Sequence, residues 1–196
     1  MPLWGNTDAD ESKPKWLTTA EKKEVYANAE GWVVEAGSVM TGNDNTSADP
    51  EILVAIGGLA TNIGAADVTD VEWITTTADK SAGFTLSVRV RYNEAVTVTG
   101  APTIAVTNGN QGTGTGRGPH TLVYASGSGS NELVFSLAIA AANAATNADD
   151  VLTIGAQNIL KPGGATIKDT TGTASDSAVA ISAGQGTAAG SITVVA

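Results

Sequence analysis

The chain of 196 residues is acidic, with a formal net charge of −10 at pH 7, and contains no cysteine. This length suits one sizeable domain with an appendage. The negative charge argues against sequence-independent binding to nucleic acid and against docking on an anionic membrane surface. The lack of cysteine excludes disulfides, thiolate nucleophiles and cysteine-based metal sites. We therefore expect no nucleic acid and no membrane as partners.

The N-terminal third differs in composition from the rest of the chain. Residues 1–51 carry ten acidic and four basic side chains, together with three of the four tryptophans. This pattern predicts an N-terminal arm and linker over residues 1–66, followed by a second domain over residues 67–196. The indoles either fold back onto that domain or anchor the arm in a neighbouring subunit. We expect residues 1–35 to be poorly ordered in the isolated chain.

The arm contains signals for one short helix, one strand and a polar loop. Thr18 and Glu21 have capping-box spacing, which predicts a helix over residues 20–29. Residues 43–50 are typical of a solvated turn, with a weak calcium loop as the alternative. The apolar run 51–56 predicts a short strand, and residues 57–70 a linker. The first eight residues have neither a basic start nor an apolar core, so we expect the chain to be made without Sec export.

The strongest pattern lies in residues 84–98, where apolar side chains occupy every second position from Phe84 to Tyr92. A period of two predicts a long strand with one buried and one wet face. A bend is expected at residues 93–95. The inward residues are predicted to be Leu86, Val88 and Val90, and the outward residues Ser87, Arg89 and Arg91.

The remaining segments predict further short strands separated by turns. Asn108-Gly109 is a hairpin turn signal that closes one of them. Residues 140–148 are compatible with a helical turn. Short strands at near-regular spacing indicate an all-β fold, a β-sandwich. The other predicted strands are 71–76, 102–106, 121–124, 132–139, 151–154, 165–168, 178–181 and 192–195.

Reaction chemistry is poorly supported by these residues. His120 is the one histidine, and no Gly-x-Ser-x-Gly motif accompanies it at a strand–helix elbow. The Gly-Thr-rich loop 111–119 lacks the Lys-Ser/Thr ending of a phosphate loop. Asp149 and Asp150 are interpreted as structural or solvent-facing, with a calcium site as the alternative. We expect no enzyme activity, no cofactor and no metal requirement.

Three segments of the second domain resemble, in order, the bacterial Ig-like repeats that occur in tandem in large adhesins. They are residues 90–103, 124–135 and 165–172. The resemblance covers roughly half the chain. It implies an Ig-like β-sandwich over residues 67–196. The alternative function that it implies is an adhesin or tail-associated module binding host-surface glycans.

The arm has a resemblance of its own, carried by residues 3–8, 13–17, 31–33 and 51–57. These segments are similar, in that order, to the start of virion structural proteins of tailed phages that infect marine cyanobacteria. The resemblance implies a virion component assembled in the host cytoplasm, most simply a capsid decoration or cement protein. Its partners would be the major capsid protein or other virion subunits, with a homo-oligomer on the particle as a further possibility. The hypothesis assigns partner binding to Trp4, Lys13, Pro14, Trp16 and Trp32.

Overall fold

The computed structural model describes residues 13–109, 119–141, 146–170 and 176–196. This part of the chain is all-β and sandwich-like, which confirms the predicted fold class. Its helices are α1 (Thr19–Lys23), α2 (Leu59–Asn62) and α3 (Ala183–Ala189), with a 3₁₀ turn at Pro162–Gly164. Its strands are β1 (Val25–Ala27), β2 (Gly31–Val34), β3 (Glu51–Ala55), β4 (Val68–Trp73), β5 (Ala78–Asp79), β6 (Phe84–Thr99), β7 (Thr103–Gly109), β8 (His120–Ser126), β9 (Ser130–Ile139), β10 (Val151–Thr153), β11 (Gln157–Asn158), β12 (Thr166–Asp169), β13 (Ala180–Ile181) and β14 (Ser191–Val195).

The 16-residue strand β6 is the centre of the fold because four other strands pair with it. Antiparallel β9 follows it from Phe84↔Ile139 to Arg91↔Glu132. Since β4 and β9 both pair with the same residues of β6, they lie on its opposite edges. Strand β12 pairs with its C-terminal end, and β1 joins it through one parallel bridge, Ala27↔Glu94.

From β9 the sheet continues through β8, β7, β10, β14 and β5. Strand β9 at one end of this order and strands β14 and β5 at the other contribute to the same hydrophobic core. The sheet therefore folds over on itself. Leu86, Val88 and Val90 of β6 are wholly buried there, which confirms their predicted inward orientation. The neighbouring strand β9 contributes Phe135 to this core, and the strands further along the sheet contribute Ile104, Leu122, Leu152 and Val194.

The predicted outward face of β6 is only partly correct. Ser87 and Arg89 are half-buried, but Arg91 is buried, and so are Asn93 and Glu94. The prediction for Arg91 is wrong because residues from the N-terminal part of the chain cover this end of β6. The predicted bend at residues 93–95 corresponds to a register shift in the β6–β9 pairing between Arg91 and Val96.

Residues 13–66, named here the N-terminal unit, form a small folded body instead of an extended arm. Strands β1, β2 and β3 make an antiparallel meander, and α1 and α2 flank it. The unit has a core of its own, formed by Leu17, Val25, Ala27, Trp32, Val34, Leu59 and Ala60. The expectation of poor order is therefore wrong for residues 13–35, while residues 1–12 lie outside the described residues.

The meander of the N-terminal unit depends on Gly31. Its φ is +148°, and a Cβ at this position would stand 2.0 Å from the carbonyl oxygen of Val54 on β3. Any side chain here would force β2 and β3 apart, so glycine is required for their close approach. The neighbouring helix α1 is shorter than predicted, because β1 begins at Val25, and Val25 and Tyr26 have strong strand propensity.

Three further features differ from the sequence prediction. Asn108 and Gly109 do not form the predicted turn but are the last two residues of β7, where both pair with β10. The predicted linker 57–70 contains α2 and the start of β4. Helix α3 was not predicted, although Ser182 and Gln185 form a capping box at its start. Residues 111–118 of the predicted loop lie outside the described residues. The same holds for residues 142–145 of the predicted helical turn.

The assigned register of β6 can be tested by truncating side chains on its two faces. Leu86→Ala should lower the free energy of unfolding by about 2–5 kcal/mol, because it leaves a cavity in the core. Thr85→Ala, at an exposed neighbouring position, should change it by about 0.5 kcal/mol or less. Urea titration measures both. Equal, small losses would contradict the register.

Candidate functional site

The five predicted anchor residues fall into three different environments. Lys13 is buried and its Nζ donates a 2.8 Å hydrogen bond to the Lys22 carbonyl, while Pro14 is buried beside it. Trp32 is wholly buried in the core of the N-terminal unit, so its prediction as a partner anchor is wrong. Trp16 is 60% exposed. Trp4 lies outside the described residues.

The best-defined polar site is the junction of the N-terminal unit with the sandwich, centred on Arg91. The Arg91 side chain is only 6% exposed. Its Nη1 donates to the Lys23 carbonyl at 2.8 Å and to Glu35 Oε1 at 3.2 Å, both in the N-terminal unit. Its Nη2 lies 3.3 Å from Glu72 Oε1 and 2.9 Å from Glu132 Oε1, on strands β4 and β9 of the sandwich. One guanidinium therefore joins the two parts of the chain.

Three further ion pairs, made by Arg89 and Lys23, flank this junction. Arg89, two residues earlier on β6, lies 3.0 Å from Glu72 and 3.4 Å from Glu132. Lys23, at the end of α1, lies 2.8 Å from Asp70 on β4. The Lys23–Asp70 pair gives the N-terminal unit a second ionic link to the sandwich.

The junction carries more acidic than basic groups. Burial is the largest influence on the Arg91 pKa and would lower it, but the carboxylates of Glu132, Glu35 and Glu72 together raise it. Burial raises the pKa of Glu35 to about 7; Arg91 opposes this rise and Glu132 adds to it. The acidic residues are Glu24, Glu35, Asp70, Glu72 and Glu132, and the basic residues are Lys23, Arg89 and Arg91.

An open cleft of about 530 Å³ lies next to these charges, between the N-terminal unit and β9. Tyr26 and Ser38 line one side, and Arg89 and Glu132 line the other. The Ser38 hydroxyl donates to the Glu24 carboxylate, also in the lining. The cleft is thus the solvent-facing edge of the ionic junction. Polar side chains that line it are already paired with each other, Ser38 with Glu24 and Arg89 with Glu132.

The histidine and aspartates considered for chemistry have structural environments. His120 is buried at the start of β8, with its Nε2 3.2 Å from Thr146 Oγ1 and 3.4 Å from Asn108 Nδ2. Burial lowers the His120 pKa, against the influence of Asp150. Asp150 is wholly buried and its Oδ2 accepts a 2.7 Å hydrogen bond from the Asn147 backbone. These contacts fix the loop before β10.

The polar loop 43–50 is held by its own side chains. Asn43 Oδ1 accepts from the Asn45 backbone N–H at 3.1 Å, and Asn45 Oδ1 accepts from that of Ser47 at 3.0 Å. Such Asx turns are a common way of closing a solvated loop. Across the described ranges, no three acidic, histidine or cysteine side chains group as metal ligands, and no helix there is long and apolar enough to span a membrane.

The chain shows no significant match to a protein-family model, a curated protein or a solved structure. The inference of function therefore depends on features of this chain alone. Those features are the ionic junction centred on Arg91 and the exposed Trp16.

The junction predicts that two arginines on the same strand differ strongly in their contribution to stability. Arg91→Ala leaves three carboxylates without their shared cation and should lower the free energy of unfolding by about 3–5 kcal/mol. Arg89 is 32% exposed, and Arg89→Ala should cost about 1 kcal/mol or less, as is usual for accessible pairs. Chemical denaturation of both variants measures the difference. Similar losses would show that Arg91 is not the central residue of the junction.

Proposed function

We propose that this chain is a structural protein of a tailed-phage particle that decorates or cements the outer surface of the capsid. The observation that carries the proposal is Trp16, whose large indole is 60% exposed on the N-terminal unit. Tryptophan is enriched at the energetic centres of protein interfaces and is highly buried on average, so a largely exposed indole supports a contact surface at this position. Trp16 also lies in one of the segments that resemble virion proteins.

The architecture supports a division of labour between the two parts. The N-terminal unit presents Trp16 and attaches to capsid subunits, and the sandwich projects from it. The buried Arg91 contacts connect the parts, so that a force on the sandwich is transmitted to the attachment site. A capsid lattice offers many copies of one binding site, so modest contacts gain from multivalency when the protein is oligomeric.

The proposal treats the chain as non-catalytic. His120 lies within hydrogen-bond distance of Asn108 and of Thr146, both of which are buried. Asp150 is engaged by the Asn147 backbone and Glu24 by the Ser38 hydroxyl. The other carboxylates of the junction are paired with arginines or with a lysine. Each of these groups has a structural explanation that needs no substrate.

Localisation on the particle is the direct test. Antibodies against the sandwich, applied to purified particles of the phage that encodes this chain, should label the head surface in electron micrographs. Labelling of the tail instead would favour the host-binding alternative, and glycan binding would then be measured. A particle without the protein would overturn the proposal.

The attachment role of Trp16 gives a sharper prediction. Trp16→Ala should weaken binding to capsids lacking the protein by roughly tenfold or more, the usual effect of losing a central interface tryptophan. Leu160→Ala is the matched control, because Leu160 is 62% exposed and lies on the sandwich. A single substitution is cleaner than deletion of residues 1–17, since Lys13 and Leu17 are buried within the unit.

Co-sedimentation with undecorated capsids measures both variants. Undiminished binding of the Trp16 variant would place attachment elsewhere on the chain. An equal loss for the Leu160 variant would instead indicate that the sandwich takes part in attachment.

A further inference from the structure

The exposed Trp16 lies at the tip of a tight turn. The Leu17 backbone N–H donates a 3.2 Å hydrogen bond to the Pro14 carbonyl, which closes a β-turn with Lys15 and Trp16 as its central residues. Both central residues are exposed, whereas Pro14 and Leu17 at the ends of the turn are buried. The turn therefore presents a cation and an adjacent indole, and we name this pair the Lys15–Trp16 tip.

The tip is fixed from both sides by contacts within the N-terminal unit. Before it, the Lys13 Nζ donates at 2.8 Å to the Lys22 carbonyl. After it, Leu17 packs in the core of the unit, and Thr18 caps α1 through reciprocal hydrogen bonds with Glu21. Binding through a segment that is already ordered costs less conformational entropy than binding through a loose one. The tip is thus a preorganised contact element.

The local charge at the tip is opposite in sign to the charge of the whole chain. The chain has a formal net charge of −10, but residues 13–23 contain four lysines and one glutamate. That glutamate, Glu21, is engaged in the capping box of α1, and Lys23 is paired with Asp70. Among the described residues, no ion pair includes Lys15. Lys15 thus offers a cation directly beside the indole.

Three kinds of surface accept a cation next to an indole: a nucleic acid, an anionic membrane and an acidic site on a protein. The net negative charge of this chain disfavours the first two, because both carry dense negative charge over a wide area. A protein can confine its carboxylates to the polar rim of an apolar pocket, so that only the tip meets them. The charge pattern therefore favours an acidic site on a protein.

We propose that the Lys15–Trp16 tip docks into an apolar pocket, rimmed by aspartate or glutamate side chains, on a capsid subunit. Trp16 fills the pocket, and burial of its indole supplies most of the affinity. Lys15 pairs with a carboxylate of the rim, which fixes the orientation and disfavours other partners. This inference rests on the proposed function and adds to it the chemistry of the partner surface.

Zero-length cross-linking of decorated particles is the direct test. A carbodiimide joins a lysine amine to a carboxylate where the two are in contact; an amide forms, and the carbodiimide takes up the water. Lys15 should become linked to an aspartate or glutamate of a capsid subunit, identified by mass spectrometry after digestion. Lys161, a partly exposed lysine of the sandwich, is the internal control and should give no such link.

Charge reversal measures the contribution of Lys15 to binding. Lys15→Glu should weaken co-sedimentation with capsids lacking the protein by about tenfold or more, because a repulsion between carboxylates replaces an attraction. Lys15→Arg keeps the charge and should bind like the parent chain. Lys161→Glu makes the same change of net charge on the sandwich and should also bind like the parent. Because Lys15 is exposed, its variants should keep the thermal stability of the parent chain.

The outcomes distinguish this inference from the proposed function. A parent chain that binds no capsid would overturn both. Unchanged binding of Lys15→Glu, or the lack of a cross-link from Lys15 to a capsid subunit, would overturn the acidic rim alone. Cross-links only to other copies of this chain would assign the tip to a contact between copies. Trp16-dependent sedimentation with phosphatidylserine vesicles would assign it to a lipid surface, and either of these last results overturns the inference.

Discussion

The buried guanidinium of Arg91 is the contact on which the relation between the two parts of this protein depends. It bonds a carbonyl and a carboxylate of the N-terminal unit and two carboxylates of the sandwich. Burying a cation is costly unless its partners are well placed, so such a cluster adds little net stability over an apolar contact. What it supplies is geometry: the observed arrangement gives Arg91 partners from both parts of the chain at once.

The central strand of the sandwich, β6, could be predicted from the sequence. The packing of the N-terminal unit against the part of β6 that contains Arg91 could not. The alternation in β6 correctly separates Leu86, Val88 and Val90 from Ser87 and Arg89. It gave the wrong environment for Arg91, because a period of two shows which face a side chain is on but not what lies against that face. The covering residues come from a segment that, by composition, looked unable to form a core.

The tryptophans show the same limit at the candidate site. Trp16 and Trp32 belong to one acidic segment, yet one is exposed and the other wholly buried. A local signal did exist for Trp32, since it lies in the apolar run Gly31–Val34, which is typical of a buried strand. Helix α3 was missed for a related reason: its glycine- and alanine-rich body has no apolar stripe, and only the Ser182–Gln185 cap marks it.

Helix α1 links the exposed end of the N-terminal unit to the ionic junction. The last carbonyls of a helix lack partners within it, and cationic side chains commonly satisfy them. Here Lys13 Nζ donates to the Lys22 carbonyl, and Arg91 Nη1 donates to the carbonyl of Lys23, the last residue of α1. The segment that carries Trp16 and the strand at the centre of the sandwich thus hold adjacent carbonyls of one short helix.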